Sequence, residues 1–398
     1  MVPSEYFPMT TRPALTGKIV VSIGILARNE ETRLGTCLAG LFRQTLFAEL
    51  EQRGERAEIW CVANACTDDT AAVAERYFHE ASATHPHAAA FLANAVSVRT
   101  PGKINAWNLF VHEISATESH CLILMDADIR LGEAETLWNL FRGLEENPTA
   151  HVAVGEPVKD IALKTSPTLR ERISLATSRL TQGSGPQLTG QLYAIRAFTA
   201  RRIRLPRDLA ACEDGFIKNV VCTDFLLKET ESNRLLRVPG ASHVFEAYVT
   251  AGAIIRNQKR QMIGQTFVYL LLDRYLPGLC AKENLTLGET IRKLDEEDPQ
   301  WLRRLVRYHV SETKHFWNLF PGVCTFRYER WARRPSGERL RYFPAMVVGS
   351  LVTMLSSWMA WRSLRRGLLE YWPQKPARPS GPPDSPRELD LLRPAATT

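Results

Sequence analysis

The first 155 residues alternate between short apolar runs and segments with helical spacing, and this alternation restricts the possible folds more than any other feature. The apolar runs cover residues 18–26, 57–64, 89–96 and 120–128, and each is typical of a strand. Segments with helical periodicity, such as 103–115, separate them. Strands and helices that alternate through short links form βαβ units on a parallel sheet. The sequence therefore predicts an α/β fold.

Three of the predicted strand ends carry side chains suited to binding a ligand. Glu30 follows the first strand, Asn64 ends the second, and Asp126 and Asp128 end the run at 120–128. Parallel sheets bind ligands at the carboxyl ends of their strands. Two neighbouring carboxylates are costly to bury unless a cation lies between them or water reaches both. An Asp-rich turn explains the Asp pair alone, whereas three polar strand ends favour a binding site.

Composition and charge describe a globular protein with one local basic segment. The 398 residues are 45% hydrophobic and 23% charged, enough for a large core and inconsistent with wholesale disorder. The net charge is +7, but seven arginines and one glutamate lie between residues 333 and 366. An excess confined to one segment indicates a local anionic partner and does not favour nucleic acid.

The cysteines and the N-terminal segment indicate the cellular compartment, and the two terminal segments have compositions of their own. The eight cysteines are scattered, without a C-x-x-C pair, so we expect reduced thiols and a cytosolic main domain. Residues 1–17 contain three prolines and no apolar core segment, so we interpret them as an extension without a signal peptide. Residues 373–398 are Pro-rich and are predicted to be a disordered tail.

Residues 342–361 are 20 residues without a charge, which is long enough to span a bilayer. Arginines flank both ends, and this conflicts with a simple crossing. We therefore predict that 342–366 is a membrane-associated helix, and the sequence leaves open whether it spans the bilayer or lies at an anionic surface. A buried core helix is the alternative. It is disfavoured because Ser350, Thr353, Ser356 and Ser357 have no obvious polar partner.

Six polar motifs occur in a definite order. They are "ARNEE" (27–31), "VANACTDDTA" (62–71), "GKINAWN" (102–108), "DAD" (126–128), "TGQLYAIR" (189–196) and "ED" (213–214). Together they resemble the family 2 glycosyltransferases. The resemblance implies a GT-A nucleotide-sugar transferase fold over residues 18–265, followed by a helical, aromatic-rich region at 266–341. It also implies inverting transfer of a sugar from a nucleotide diphosphate donor, aided by Mg²⁺ or Mn²⁺.

The resemblance assigns roles on the donor side. Asp128 is expected to bind the metal ion, with Asp126 sharing the metal or approaching the ribose. Glu30 resembles the ribose-side acid, and its alternative is a first-turn glutamate stabilised by the helix dipole. Asn64 stands where the family usually has a base-reading Asp. Lys103 is expected to meet the phosphate or the sugar.

The acceptor side depends on the second half of the domain. An inverting transfer needs a base for the acceptor hydroxyl, and the resemblance gives this role to Asp214, whose alternative is an acidic helix cap. Arg260 in "NQKRQMIG" matches the Arg of a Q-x-x-R-W motif and is expected to bind the donor diphosphate, while Gln261 replaces the Trp of the motif. This departure favours single addition over processive synthesis. Two roles stay open: Asp68 as a ligand or only a helix cap, and the Gly-rich stretch 183–190 as a mobile acceptor loop or a simple surface loop.

The predicted function is a glycosyltransferase at the cytoplasmic face of the membrane, attached through residues 342–366. It would move a sugar from a UDP-sugar to a lipid-linked or envelope saccharide acceptor. One alternative is a sugar-nucleotide nucleotidyltransferase, which would need a Gly-rich basic loop where this chain has "GILARNEE". Another is a catalytically decayed membrane scaffold, supported by Asn64 and the missing Trp.

Overall fold

The computed structural model describes residues 6–8, 17–181, 185–320, 323 and 325–367. Nine strands in these ranges form one sheet in the order β1-β4-β3-β2-β5-β8-β7-β9-β6. The strands are β1 (Tyr6–Pro8), β2 (Lys18–Ala27), β3 (Glu55–Asn64), β4 (Phe91–Val98), β5 (Cys121–Asp126), β6 (Arg130–Leu131), β7 (Val152–Lys159), β8 (Leu192–Arg196) and β9 (Leu235–Phe245).

The four predicted strands of the first 155 residues form the parallel centre of the sheet. Strand β2 lies between β3 and β5, β4 pairs with β3, and all three pairings are parallel. Each strand except β4 is almost completely buried, as expected when helices cover both faces of a sheet. The remaining strands make the sheet mixed, because β8 runs antiparallel to β5 and β7. The predicted α/β fold is confirmed.

Fifteen α-helices accompany these strands within the described ranges. They are α1 (Glu31–Leu41), α2 (Leu46–Gln52), α3 (Thr70–Thr84), α4 (Lys103–Leu109), α5 (Thr136–Glu146), α6 (Leu169–Thr181), α7 (Ala197–Ala200), α8 (Glu213–Cys222), α9 (Ala251–Tyr269), α10 (Leu276–Glu283), α11 (Leu287–Glu297), α12 (Trp301–Ser311), α13 (Phe316–Leu319), α14 (Phe326–Ala332) and α15 (Ser336–Arg365). Short π-helical turns extend α4 over Phe110–Ile114 and join α9 to α10 over Leu270–Tyr275.

The core lies in two layers, one on each face of the sheet. On one face, helices α1, α2, α3 and α5 bury side chains such as Leu38 and Phe47. On the other face, Trp107 and Phe216 belong to a cluster that continues into the C-terminal helices as far as Leu364. The predicted boundary at residues 265 and 266 falls inside helix α9. The C-terminal helices therefore share the core of the sheet.

Three predicted segments lie partly or wholly outside the described residues: the N-terminal extension, the Gly-rich stretch 183–190 and the tail 373–398. Within the N-terminal extension, Tyr6–Pro8 pairs antiparallel with β4 and forms one edge of the sheet. Gly183 and the Pro-rich tail at 373–398 are outside the described ranges. The described cysteines, at positions 37, 61, 66, 121, 212, 222 and 280, all carry free thiols.

Candidate active site

The carboxyl ends of β3, β2 and β5 lie side by side, since Leu26 is in register with both Val62 and Asp126. Just beyond the ends of β2 and β3, Asn29 and Ala65 have φ values of 55° and 49°. Positive φ is uncommon for residues other than glycine and is often retained at functional sites. These strained turns redirect the chain at the sheet edge where the sequence predicts ligand binding.

Lys103 joins two of the predicted motifs. It begins helix α4 directly after Gly102, whose φ of 132° favours glycine. Its Nζ lies 2.7 Å from Asp126 Oδ1 and 2.9 Å from Glu213 Oε1, and donates to the Gly190 carbonyl oxygen at 2.9 Å. One ammonium group therefore connects the end of β5, the start of α8 and the loop before β8.

The three charges of this bridge shift one another's pKa values. Burial lowers the pKa of Lys103, but the carboxylates of Asp126 and Glu213 outweigh it, so the pKa is raised overall. Burial raises the pKa of Glu213, and the charge and hydrogen bond of Lys103 reverse this, leaving the pKa lowered. For Asp126, burial prevails over Lys103 and the pKa is raised. At neutral pH, Lys103 and Glu213 therefore form a charged pair.

Asp214 is a carboxylic acid with a pKa near neutrality. Burial raises its pKa to about 6, and the charge of Glu213 adds to the shift. The Gly215 N–H donates to Oδ1 at 2.7 Å, and the Gly190 N–H donates to Oδ2 at 3.4 Å. Cys212, the residue before helix α8, has a φ of 63°. A carboxylate that titrates near pH 6 is ionised at neutral pH and is well matched to accepting a proton.

Gly190 allows its loop to approach both the lysine and the base. Its carbonyl accepts from Lys103, while its N–H donates to Asp214. A Cβ at this position would lie 2.5 Å from Glu213 Oε1 and 3.4 Å from Lys103 Nζ. Only glycine therefore fits here without moving the charged groups. The sequence marked Gly190 as part of a loop but did not predict these contacts.

Asp128 is half-buried, and its charge acts on His243, a residue that the sequence analysis missed. His243 lies on β9 in register with Leu131, and its Nε2 is 3.2 Å from Gln191 Oε1. Burial lowers the pKa of His243 to about 4 against the opposing charge of Asp128. Its buried Nδ1 has no hydrogen-bond partner among the described residues. A single histidine within a strand gives no signal in the sequence.

The donor atoms at this edge fit a divalent cation that takes few protein ligands. No group of three or more His, Cys, Asp or Glu side chains is arranged to hold a metal ion in the part of the chain that the structure describes. Asp126 and Asp128 offer carboxylate oxygens, and the neutral imidazole of His243 is electrostatically coupled to Asp128. Mg²⁺ commonly takes one or two carboxylates and completes its shell with phosphate and water, and imidazole also suits several transition metals.

The other predicted donor-side residues make contacts within the protein. The Glu30 carboxylate lies 3.1 Å from Arg33, which also approaches Glu246 at 3.4 Å. Buried Asn64 accepts from the Gly102 N–H at 2.7 Å and donates to the Thr100 carbonyl at 2.8 Å. These contacts leave the proposed roles of Glu30 and Asn64 as predictions, and they show that Asn64 holds the loop before α4 in place.

Asp68 binds the first turns of two helices. Its Oδ1 accepts from the Thr70 N–H at 3.1 Å, and its Oδ2 accepts from the Glu31 N–H at 3.2 Å. These contacts favour the capping role over the ligand role that the sequence left open. Helix α3 has Asp69 as its N-cap residue, one or two positions after the predicted Asp68 or Thr67.

Arg260, on helix α9, is near the acidic pair. Its charge helps to lower the pKa of Glu213. Its Nη2 donates to Asn257 Oδ1 at 3.4 Å, and its buried Nε has no hydrogen-bond partner among the described residues.

Beside α8 and α9 is a cavity of about 240 Å³. The residues that line it are Cys212, Gly215, Asn219, Gln265, Val268, Tyr269, Leu272 and Asp273.

The chain was compared with protein families and with curated proteins. Residues 22–202 match the family model described as glycosyl transferase family 2. No curated protein matches the chain.

Several solved structures resemble the chain at low identity. S. aureus TarS 1–349 is 15% identical, with coverage of 88% of this chain and 92% of that chain and a TM-score of 0.42. Glucosyl-3-phosphoglycerate synthase from Mycobacterium tuberculosis, in complex with Mn²⁺, UDP-glucose and phosphoglyceric acid, is 14% identical, with coverage of 63% and 79% and a TM-score of 0.40. Mannosyl-3-phosphoglycerate synthase from Rubrobacter xylanophilus is 13% identical, with coverage of 67% and 76% and a TM-score of 0.37.

The family match covers strands β2 to β8, in which the donor-side motifs lie. The parallel centre of the sheet and the polar strand ends are as the six motifs predict. Over residues 22–202 the chain is thus similar to glycosyl transferase family 2, and its fold is a GT-A-like mixed α/β sheet.

Proposed function

We propose that this protein is an inverting glycosyltransferase that moves a sugar from a UDP-sugar to a hydroxyl of a lipid-linked or envelope saccharide acceptor. The observation that carries the proposal is the Lys103 bridge. Lys103 contacts both Asp126, at the end of β5, and Glu213, at the start of α8. The residue after Glu213 is Asp214, which has a pKa of about 6. The proposed phosphate-binding edge and the proposed base would thus be adjacent, as a sugar transfer requires.

The donor diphosphate would lie between Asp126, Asp128 and two cations of the protein. Lys103 is fully charged, and Arg260 has a buried Nε that can donate to an anion. When bound, Mg²⁺ or Mn²⁺ supplies positive charge that offsets the negative charge developing on the leaving diphosphate. Asp128 and Asp126 would hold that ion. Glu30 and Asn64 are proposed to bind the nucleoside.

Asp214 would act as the base. The acceptor oxygen attacks the anomeric carbon from the face opposite the diphosphate, which inverts the configuration. As the new C–O bond forms, the bond between the sugar and the diphosphate breaks, and its electron pair stays on the phosphate oxygen. The hydroxyl proton goes to the Asp214 carboxylate, whose raised pKa increases its basicity. The N–H groups of Gly190 and Gly215 orient that carboxylate.

The acceptor would enter beside helix α8. The cavity of about 240 Å³ includes Gly215, the residue after the proposed base, and has an aromatic wall at Tyr269. Attachment to the cytoplasmic face of the membrane through residues 342–366 is part of this proposal. One helix of the described chain, Ser336–Arg365, is long and apolar enough to cross a membrane.

The test is turnover of UDP-sugars by the full chain in detergent, with and without Mn²⁺. The proposal expects Mn²⁺-dependent release of UDP in the presence of a saccharide acceptor. Asp128→Ala should abolish this release and weaken Mn²⁺-dependent UDP binding, because a hard oxygen ligand is lost. Sugar-nucleotide formation with release of pyrophosphate would identify a nucleotidyltransferase instead. UDP binding that is absent in the wild type would favour a scaffold.

A further inference from the structure

Helix α15 has its large apolar side chains on the outside and its small side chains on the inside. Leu340 and Leu351 are 86% and 63% exposed. The other exposed large apolar residues of the helix are Phe343, Val347, Val348, Met354, Leu355 and Trp358. The buried face consists mostly of Ala345, Gly349, Thr353, Ser356, Ser357, Ala360 and Ser363. In a water-exposed surface helix the apolar stripe faces the core, so this helix is inverted.

The small-residue face is fixed to the rest of the protein by specific contacts. Buried Arg327, on α14, donates from Nε to Thr353 Oγ1 at 2.9 Å. A Cβ at Gly349 would lie 2.9 Å from the same guanidinium. Ser356 Oγ donates to the Ile255 carbonyl on α9 at 3.4 Å. Of the four side chains that the sequence analysis counted against burial, Thr353 and Ser356 are buried with partners on α14 and α9. Ser357 is buried without a hydrogen-bond partner among the described residues, and Ser350 is half-buried.

This attachment argues against a simple crossing of the bilayer by α15. The helix packs lengthwise on α6, α9, α12 and α14. Its neighbours carry many charges, for example Arg303, Arg304 and Arg307 on α12. Charged side chains are costly in the hydrocarbon region, and α15 cannot enter it end-on without these neighbours. Its exposed face can reach lipid only if the helix lies along the membrane surface.

Both ends of the apolar stripe combine aromatic rings with arginine. Near its start, the Arg334 guanidinium is 4.7 Å from the Tyr342 ring centroid. Near its end, Arg362 and Arg365 lie 4.8 Å and 4.9 Å from the ring centroids of Trp358 and Trp361. Aromatic side chains favour the interfacial region of a bilayer, and arginines there attract anionic headgroups. Arg362, Arg365 and Arg366 are exposed.

We propose that α15 is an in-plane membrane anchor, which inserts the apolar stripe from Leu340 to Trp358 into an anionic bilayer while its small-residue face stays docked on the protein. This inference deepens the membrane attachment of the proposed function. A second copy of the chain is the other conceivable occupant of the stripe. It fits less well because the arginine-rich ends of two copies would repel each other, whereas anionic lipid complements them.

The experiment is flotation of the full-length protein with preformed vesicles of phosphatidylcholine alone or with one-third phosphatidylserine. The wild type should bind the anionic vesicles and be released by alkaline carbonate, because an in-plane helix does not span the bilayer. Leu351→Asn/Leu355→Asn should bind on the order of tenfold more weakly. Leu227→Asn is the matched control, since Leu227 is 76% exposed but lies on the turn after α8, and it should bind like the wild type.

A second pair of substitutions tests the electrostatic part without touching the apolar stripe. Arg362→Gln/Arg365→Gln should weaken binding to anionic vesicles by about fivefold for each arginine, and leave binding to neutral vesicles unchanged. Three results would overturn the proposal: carbonate-resistant wild type, which indicates a spanning helix; no binding to either vesicle; or a dimer in lipid-free buffer that Leu351→Asn/Leu355→Asn dissociates. UDP-sugar turnover in detergent is measured separately, so a failed anchor and a failed enzyme give different results.

Discussion

The candidate active site and helix α15 depart from the usual distribution of side chains in opposite directions. The site withdraws charged groups from water: Lys103 is 17% exposed and Glu213 13% exposed. Helix α15 instead exposes leucine, methionine and tryptophan and buries serine and threonine. Charged groups are normally outside and apolar groups inside. The partners proposed above would explain both departures: an anionic donor at the site and lipid at the helix.

The largest effect is expected at the proposed base. Asp214→Asn keeps the shape of the side chain but removes the proton acceptor, so kcat should fall on the order of 10²-fold or more. Donor affinity, measured by UDP titration, should stay near the wild-type value. Wild-type kcat should decline as pH falls below about 6, where the raised pKa of Asp214 protonates the base. A collapse of UDP affinity would place Asp214 in the donor site instead.

The same substitution should raise stability at neutral pH. The folded-state pKa of Asp214 is about 6, above the usual value of about 3.9 for an unfolded chain. The folded protein therefore binds the extra proton, and wild-type stability is lost as pH rises through 6. Asp214→Asn should unfold at higher denaturant than the wild type at pH 7.5, and the difference should disappear near pH 4. Equal denaturation midpoints of the wild type and Asp214→Asn at pH 7.5 would contradict the burial of the Asp214 carboxylate.

Lys103→Met removes the cation between two carboxylates. Asp126 and Glu213 would then repel each other in a poorly solvated site, and the free energy of unfolding should fall by about 3 kcal/mol at pH 7.5. Protonation of the carboxylates at pH 5 should reduce this loss. Denaturant titrations of Lys103→Met, Glu213→Gln and the double variant form a cycle. Additive losses would show that the two side chains do not interact.

Gly190→Ala tests whether the loop must approach the charged groups closely. The new Cβ would meet Glu213 Oε1 at 2.5 Å, so we expect the loop to shift and kcat to fall by about tenfold, since small misplacements of catalytic groups reduce rates strongly. Gly185→Ala is the control in the same segment, because no atom lies within 4 Å of its Cβ position. Similar activity of the two variants would show that the loop position is unimportant.

The smallest effects are expected within α15, where two glycines differ in surroundings. Gly337 has open space at its Cβ position, whereas Gly349 is 2.9 Å from the buried Arg327 guanidinium. Gly337→Ala should stabilise the helix by about 0.5 kcal/mol. Gly349→Ala should lower the free energy of unfolding by about 1 kcal/mol, because overpacking exceeds the helix gain. Thermal melts of both variants measure the change in melting temperature relative to the wild type. Equal changes in the two variants would mean that α15 is not firmly docked at Gly349.

The sequence predicted the parts of the fold that depend on local pattern. Apolar runs located β2, β3, β4 and β5 to within two residues at nearly every boundary, because buried parallel strands leave little room for polar residues. The meeting of strand ends at one edge followed from the parallel arrangement. The stretch 103–115 was one predicted helix and is α4 continued by a π-helical turn to Ile114.

The remaining features depend on contacts between distant residues. Lys103 and Glu213 are 110 positions apart, and nothing near either residue indicates the other. His243 lies near Asp128 because β9 pairs with β6, and this pairing is not evident from the sequence. The length and flanks of α15 were evident in the sequence, but its orientation was not, because the partners of Thr353 and Ser356 lie on α14 and α9.

Helix α9 touches both regions, and this has a consequence for which acceptors can react. The Ile255 carbonyl contacts α15, and ten residues later Gln265 begins the wall of the cavity beside the base. Ten helical residues span about 15 Å. With α15 resting on lipid, the contact between α9 and α15 would hold the reaction centre at a fixed distance from the headgroups. The enzyme would then select acceptors by the length of the link between their lipid anchor and their reactive hydroxyl, because only a suitable length brings the hydroxyl to the base.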